Sequence, residues 1–167
     1  MLIAHSINAQ GKRHDLVEHL KSVAELAAEF SSKFGAKDLG YWAGLWHDVG
    51  KMHPDFQKYL QDCEADPDRQ RRGPDHKRAG ALLAFQRYDT LAFLIAGHHG
   101  GLPSRSELKI WLQDRTKLQR SQDAIGLMRQ HLGDIEPVQP LSLPTHLKSV
   151  LDAEFFIQCL LTFRKRA

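Results

Sequence analysis

Apolar residues recur at intervals of three and four along most of this chain, which predicts a largely helical protein. The clearest run spans residues 13–34, and Gly35 is a plausible stop for it. The same pattern returns at residues 38–49, and Pro54 is well placed to begin a third helix. The positions expected to face the core in these three helices are Leu16, Leu20, Val23, Ala27, Phe30, Phe34, Leu39, Trp42, Ala43, Leu45, Trp46, Phe56, Tyr59 and Leu60.

Further helices are predicted at residues 78–88, 90–97 and 145–163. Residues 104–132 also have a helical pattern, but their dense charge predicts a peripheral position. Three prolines within residues 133–144 exclude a regular helix there. The apolar positions expected to be buried in residues 78–88 and 104–132 include Ala79, Leu82, Leu83, Phe85, Ile110, Trp111, Leu112, Ile125, Leu127 and Met128.

The fold class follows from these patterns. No stretch alternates apolar and polar residues with enrichment in β-branched types, so no sheet is expected. The 167 residues suit one domain with a sizeable core. We predict an all-α fold, a single bundle-like domain over residues 1–167 with about six to eight helices. Ser104 and Glu107 have the spacing of a capping box at the start of one of them.

Composition narrows the classes of function. Hydrophobic residues make up 42% and charged residues 26%, which is ordinary for a soluble globular protein, and a net charge of +3 permits a polyanionic partner. The ten histidines stand out, because histidine is the commonest metal ligand. Cys63 and Cys159 lie far apart, which argues against a zinc–thiolate site or a disulfide framework and favours a reducing cytoplasm. No apolar run predicts a membrane span, and no signal-peptide pattern opens the chain.

The strongest chemical signal lies at the end of the second predicted helix. His47 and Asp48 are adjacent there, and Gly50 and Lys51 follow. An imidazole nitrogen and a carboxylate oxygen are ligands suited to a divalent transition metal. We expect Gly50 to let the backbone leave the helix, so that Lys51 reaches toward an anion near the metal.

Other ligand-type side chains occur near predicted helix ends or inward faces. They are His19, His76, His98 and His99, with His5 as a weaker candidate. Together with His47 and Asp48, the first four exceed what one tetrahedral ion needs. The set suits two ions about 3.5–4 Å apart, or one ion with open positions. Such ions activate water and clamp a phosphoryl group, so the pattern predicts a phosphoester hydrolase.

These motifs resemble the HD superfamily of metal-dependent phosphohydrolases. Within it, they are similar to the HD nuclease domain of type I CRISPR interference, which is fused to a helicase or forms a separate subunit. The segments that carry the resemblance are His19, His47-Asp48-x-Gly50-Lys51, Phe56-Gln57-x-Tyr59-Leu60, His76 with Ala79-Gly80-Ala81, Ile95-Ala96-Gly97-His98-His99-Gly100-Gly101-Leu102, and Ala4-His5-Ser6.

The resemblance implies an HD-type helical bundle with a central metal site that cleaves single-stranded DNA through metal-activated water. It implies one or two divalent ions, drawn from Mn, Ni, Co, Fe and Mg. Lys51 would contact the scissile phosphate, so Asp48 and Lys51 are the catalytic candidates. By motif position, one ion would be held by His19, His47 and Asp48, and the second by His76, His98 and His99.

The expected partners follow from the same resemblance. They are single-stranded DNA, a helicase subunit or domain, and a CRISPR effector complex, with no membrane partner and a cytoplasmic location. From their composition, residues 62–75 are predicted to form a mobile loop. Two interpretations of its charges stay open: Arg69, Arg71 and Arg72 bind nucleic acid, or they are only solvated. Dispersed positive charge favours a long phosphate backbone over a small nucleotide.

The chain departs from the family pattern late in its sequence. The family supplies an aspartate to the first ion in a Leu-Val-Asp-Ala-Asp-like segment that follows an aromatic-rich helix. Residues 154–161 resemble the start of that helix, but the sequence then reads Thr-Phe-Arg-Lys-Arg-Ala. We therefore expect a truncated or diverged copy with a weaker or more open first ion site.

Two other functions stay open at this point. One is an HD phosphohydrolase that acts on nucleotides, which would need a closed pocket that recognises a base or sugar. The other is a catalytically weak, metal-bound domain that docks on a CRISPR effector or helicase partner. Bound metal without turnover on any phosphoester would indicate the second.

Overall fold

The computed structural model describes residues 1–7, 11–66, 72–99 and 101–147. Over these residues the protein is all-α, as predicted. The helices are α1 Leu16–Ser32, α2 Lys37–Trp46, α3 Pro54–Ala65, α4 Lys77–Arg87, α5 Asp89–Gly97, α6 Arg105–Gln113 and α7 Leu118–Leu132, with short 3-10 helices at Val49–Met52 and Arg115–Lys117.

Local capping signals place several helix ends where the sequence predicts them. Gly35 has a φ of 73°, a left-handed conformation that favours glycine, and it follows the end of α1. Pro54 is the first residue of α3. Ser104 and Glu107 form the predicted capping box, in which each side chain bonds the backbone N–H of the other residue.

The buried face of α1 differs in part from the predicted one. Phe30, expected in the core, is 39% exposed. A period of 3.6 residues fits two neighbouring stripes of this sequence, and the stripe with short side chains is the one that packs against α2. The buried positions of α1 are Leu16, Leu20, Ala24, Ala28 and Ser31.

Helix α7 belongs to the core, and the prediction of a peripheral position is wrong for it. It packs against α4 and against the 3-10 helix Val49–Met52. Met128 is fully buried, because the charges of α7 occupy its outward face. Two other apolar residues predicted to be buried are exposed, Ile110 on α6 at 70% and Phe85 on α4 at 39%.

The link between α2 and α3 lies at the centre of the bundle. Trp46 is completely buried at the end of α2, and its indole N–H donates a hydrogen bond of 2.9 Å to the carbonyl of Ile135. That bond holds the irregular segment after α7 against the end of α2. Residues 133–144 contain no regular helix, as predicted.

Two predicted segments extend beyond the described residues. Helix α3 continues to Ala65, so the predicted loop at 62–75 begins later than expected, and residues 67–71 lie outside the described part. The predicted helix at 145–163 also lies outside it from residue 148 onward. Among the described helices, none combines the length and apolar character that crossing a membrane requires.

Candidate metal centre

Asp48 lies where the predicted ligands meet. Its side chain is 4% exposed, and its Oδ2 lies 2.9 Å from His47 Nε2 and 3.7 Å from His19 Nε2. Its Oδ1 lies 3.4 Å from His98 Nε2 and 3.6 Å from His76 Nε2. Each oxygen of one carboxylate therefore faces a different pair of imidazoles.

The structure brings all six predicted ligand side chains together in two groups that share Asp48. Within each group, the ligand atoms lie within 4.8 Å of one another. We call them the first group, which consists of His19, His47 and Asp48, and the second group, which consists of Asp48, His76, His98 and His99.

Several buried polar atoms in this centre have no hydrogen-bond partner among the residues that the structure describes. They are His19 Nε2, Asp48 Oδ1, His76 Nε2 and His98 Nε2. Each such atom costs about 1–3 kcal/mol when it is left unpaired. Cations in the two groups would satisfy these atoms, and nitrogen donors with a carboxylate suit divalent transition metals. The residues present therefore fit the predicted ions.

Helix ends orient two of the imidazoles. His47 Nδ1 lies 2.6 Å from the carbonyl oxygen of Gly44, and His98 Nδ1 lies 2.6 Å from that of Ile95. Each ring thus meets a carbonyl in the last turn of its own helix, where carbonyls lack helical partners. Donation by Nδ1 leaves Nε2, which faces Asp48, as the nitrogen that would hold a metal.

Lys51 points into the protein. Its side chain is 6% exposed, and its Nζ lies 2.9 Å from Asp48 Oδ2 and donates a hydrogen bond of 2.9 Å to the carbonyl of Ala4. Lys51 therefore braces the carboxylate and holds the N-terminal segment beside it. Its contact with a scissile phosphate stays a prediction.

Gln57 joins the same N-terminal segment to the motif, a function that the sequence analysis did not assign. Its Nε2 donates to the carbonyls of Ile3 at 3.0 Å and Lys51 at 2.8 Å, and its Oε1 accepts from the Ile3 N–H at 2.8 Å. A glutamine among the apolar residues on the inward face of α3 was the available signal, because buried amides need partners.

Gly50 acts differently from the prediction. Its backbone does not adopt a left-handed conformation, and the chain continues through it as a 3-10 helix. Its N–H instead donates a hydrogen bond of 3.0 Å to the carbonyl of His76. Gly50 is needed for a close approach between two segments, rather than for an exit from α2.

Burial and close neighbouring side chains set the charges of the centre. Burial alone would raise the pKa of Asp48, but the nearby imidazoles of His19, His47 and His98 hold that pKa well below its usual range. Burial lowers the pKa of His76. Burial, followed by the neighbouring His98 and His76, lowers the pKa of His99 to about 4. An anionic carboxylate and neutral imidazoles are the forms that bind metals.

Further aromatic side chains lie beside the two groups. The His5 ring is perpendicular to the His19 ring with centroids 5.1 Å apart, so this weaker candidate lies next to the first group. The Phe56 ring packs against the His76 ring at 5.2 Å. His5 and His99 are both exposed, so the centre reaches the protein surface.

The predicted nucleic-acid contacts are only partly described. Arg72 is exposed on the segment that leads to His76. Arg69 and Arg71 lie outside the described residues. Their binding of nucleic acid stays a prediction.

Comparison with known proteins gives one family. A family model described as "Cas3, HD domain" matches residues 1–154. A search of curated proteins found no match. The matched stretch contains every residue of the two groups and all the described helices.

Proposed function

Because the chain belongs to the family of Cas3 HD domains, the HD nuclease domains of type I CRISPR interference, we propose that it hydrolyses phosphodiester bonds of single-stranded DNA with divalent metal ions. One observation carries the proposal: the two oxygens of Asp48 face separate sets of imidazoles. A carboxylate in this position would contribute to both groups, and ions held there would supply positive charge to stabilise a phosphoryl group under attack.

We assign one ion to each group. His19, His47 and Asp48 would hold the first ion, and Asp48 with His76, His98 and His99 would hold the second. Imidazole-rich sites suit transition metals, whereas Mg²⁺ is bound mostly by oxygen. Mn, Fe, Co and Ni are therefore preferred over Mg.

The bound ions would supply Lewis acidity, which activates a water molecule and offsets charge on the phosphate. Asp48 is held in position by Lys51, whose Nζ lies 2.9 Å from Asp48 Oδ2. An ammonium group has three protons, and Lys51 directs two of them to Asp48 and Ala4. We propose that the third is donated to an oxygen of the scissile phosphate.

The form of the site favours a polymer over a free nucleotide. His5 and His99 are exposed, which supports access for a strand passing across the surface. The exposed Arg72 precedes His76 by a few residues and would add a backbone contact. A single strand bound in this way would be read mainly through its phosphates.

The broader biological setting rests on the family. We propose a helicase subunit or domain as the source of the single strand, and a CRISPR effector complex as the assembly that selects it. A single domain over residues 1–167 and a cytoplasmic location are parts of the same proposal.

The experiment is cleavage of labelled circular single-stranded DNA. Metal-free protein receives Mn²⁺, Co²⁺, Ni²⁺ or Mg²⁺ separately, and bound metal is measured in parallel. The site variant is Asp48→Asn, which preserves side-chain shape. The matched control is Gly126→Ala, because a Cβ at Gly126 meets nothing within 4 Å. We expect metal-dependent nicking that survives in the control and is lost in Asp48→Asn.

Other outcomes identify the two alternatives. Hydrolysis of nucleotides with intact circular DNA would favour a nucleotide phosphohydrolase. Bound metal with no turnover on any phosphoester, even after a helicase partner is added, would favour a docking domain. Either result would overturn the nuclease proposal.

A further inference from the structure

The second group is assembled from two separate parts of the chain. His76 lies immediately before α4, whereas His98 and His99 follow the end of α5. Helix α6 begins a few residues after His99, and its C-terminal end returns to the residues that flank His76. Helix α6 therefore connects the two parts of the chain that contribute the histidines of the second group.

Asp75 makes one of these returning contacts. Its Oδ1 accepts hydrogen bonds from the backbone N–H groups of Lys77 at 3.0 Å and Arg78 at 3.2 Å, which caps the start of α4. Its Oδ2 accepts a hydrogen bond of 3.2 Å from the indole N–H of Trp111. The carboxylate of Asp75, the residue before His76, thus holds the backbone that follows His76 and connects this segment to α6.

Arg78 makes the other contact. It is 2% exposed, and its guanidinium donates to the carbonyls of Leu112 at 2.8 Å and Asp114 at 2.7 Å, and also to that of Trp111. These carbonyls lie at the C-terminal end of α6, where helical partners are missing and positive charge is favourable. The planar guanidinium suits several acceptors at once, which an ammonium group does not.

A third connection joins α4 to the end of α5. Lys77 Nζ donates a hydrogen bond of 3.1 Å to the carbonyl of Ala96, in the last turn of α5. The rings of His76 and His99 lie 5.0 Å apart beyond this connection. The separation of the second-group imidazoles therefore depends on the backbone at His76 and at the end of α5, which contacts from α4 and α6 hold in place.

We propose that Asp75, Arg78 and Trp111 form a clasp that positions His76 against His98 and His99, and that the clasp sets the affinity of the second ion. The inference rests on the proposed function, since it requires that the two groups bind metal. The clasp residues are positioning residues, because none of them belongs to either group. The first-group residues His19 and His47 lie on or next to α1 and α2, whereas the clasp hydrogen bonds described above join α4 to the end of α6.

The test is a titration of metal-free protein with Co²⁺, in which binding is measured by visible absorption and by calorimetry. Trp111→Phe removes the indole N–H while keeping an aromatic ring, and Arg78→Lys keeps the charge but loses the planar fork. We expect the second ion to bind about 10–100-fold more weakly, with the affinity of the first ion unchanged. The matched control is Arg87→Lys at the other end of α4, where Arg87 pairs with Glu136 on the surface.

The outcomes separate positioning from a general loss of structure. Equal weakening of both ions, or unchanged binding of both in Trp111→Phe, would overturn the clasp. Thermal unfolding and the circular dichroism of the helices are measured for each variant to show that it folds. If Arg78→Lys does not fold, Trp111→Phe alone decides the test. Wild-type protein that binds no Co²⁺ at all would instead overturn the proposed function on which the clasp rests.

Discussion

The carbonyl of His76 lies directly against Gly50. The Gly50 N–H donates to this carbonyl at 3.0 Å, and a Cβ added to Gly50 would lie 2.4 Å from the same oxygen. The segment that contains His47 and Asp48 is therefore in backbone contact with the segment that contains His76. The position of His76 depends on the absence of a side chain in the His47–Lys51 motif.

Replacing Gly50 with alanine is expected to disturb the second group. The new Cβ would force the His76 backbone outward, because neither of the two backbones can rotate away as a flexible side chain would. We expect a loss of about 1–3 kcal/mol in the free energy of unfolding and weaker binding of the second ion. Urea unfolding and Co²⁺ titration measure the two effects.

The control for Gly50→Ala is Gly126→Ala on α7. A Cβ at Gly126 meets nothing within 4 Å, so this change is expected to stabilise the protein by about 0.5–1 kcal/mol. Equal effects of the two substitutions would show that the contact between Gly50 and His76 has no special importance.

Asp48 and Lys51 should be strongly coupled in the metal-free protein. Their side chains are 4% and 6% exposed and are paired at 2.9 Å. Removing one partner leaves the other charge buried, which costs about 3–5 kcal/mol, whereas removing both avoids this cost. A double-mutant cycle of Asp48→Asn and Lys51→Met, followed by urea unfolding, is expected to be non-additive. Additive losses would contradict the pairing.

Metal binding is expected to stabilise the folded protein. At a concentration 100 times the Kd, each ion that binds only the folded state adds about 2.7 kcal/mol. The Tm should therefore rise when Mn²⁺ is added to metal-free protein and fall again with a chelator. An equal rise in Asp48→Asn would place the stabilising ion elsewhere.

The metal-free protein should lose stability as the pH falls from about 6.5 toward 4. The folded-state pKa values of His76 and His99 lie below the ordinary value of 6.5, with that of His99 at about 4. In this interval the unfolded chain takes up protons that the folded chain does not, so protonation favours unfolding. Asp48 contributes to the pH dependence of stability only at lower pH, because its pKa is held below its ordinary value of 3.8.

Chemical unfolding at several pH values, in the presence of a chelator, checks this direction. The pH dependence should be shallower in His99→Gln, because this variant lacks the imidazole whose pKa is lowered to about 4. A stability that increases as the pH falls from 6.5 to 4 would contradict the electrostatic environment described for these groups.

Arg72 gives a test of the proposed substrate class. If this exposed side chain contacts a phosphate, Arg72→Gln should weaken binding of single-stranded DNA similarly for different sequences. It should also reduce the salt dependence of log Kd by about 0.7, the value for one phosphate contact on a single strand. Measurements by fluorescence anisotropy at several salt concentrations, with an uncleavable strand, provide the comparison. An unchanged salt dependence of log Kd would show that Arg72 does not contact the bound strand.

Much of the fold could be predicted from the sequence, because helix formation here depends on local information. Apolar spacing identified the helices, and short-range signals such as Pro54 and the Ser104 capping box placed their starts. The errors at Phe30 and Ile110 occurred because only the neighbouring helices determine which face of a helix is covered. The error at α7 had another cause, since its dense charge predicted a peripheral position although its apolar face is buried.

The types of the candidate ligands and their order along the chain could also be predicted from the sequence, since His47, Asp48 and the distant histidines form a recognisable pattern. Tertiary structure alone placed a different pair of imidazoles at each oxygen of Asp48 and turned Lys51 inward to Ala4. It also formed the contact of Gly50 with His76. These relationships join residues far apart in the chain, so they depend on how helices pack, which periodicity along one segment does not specify.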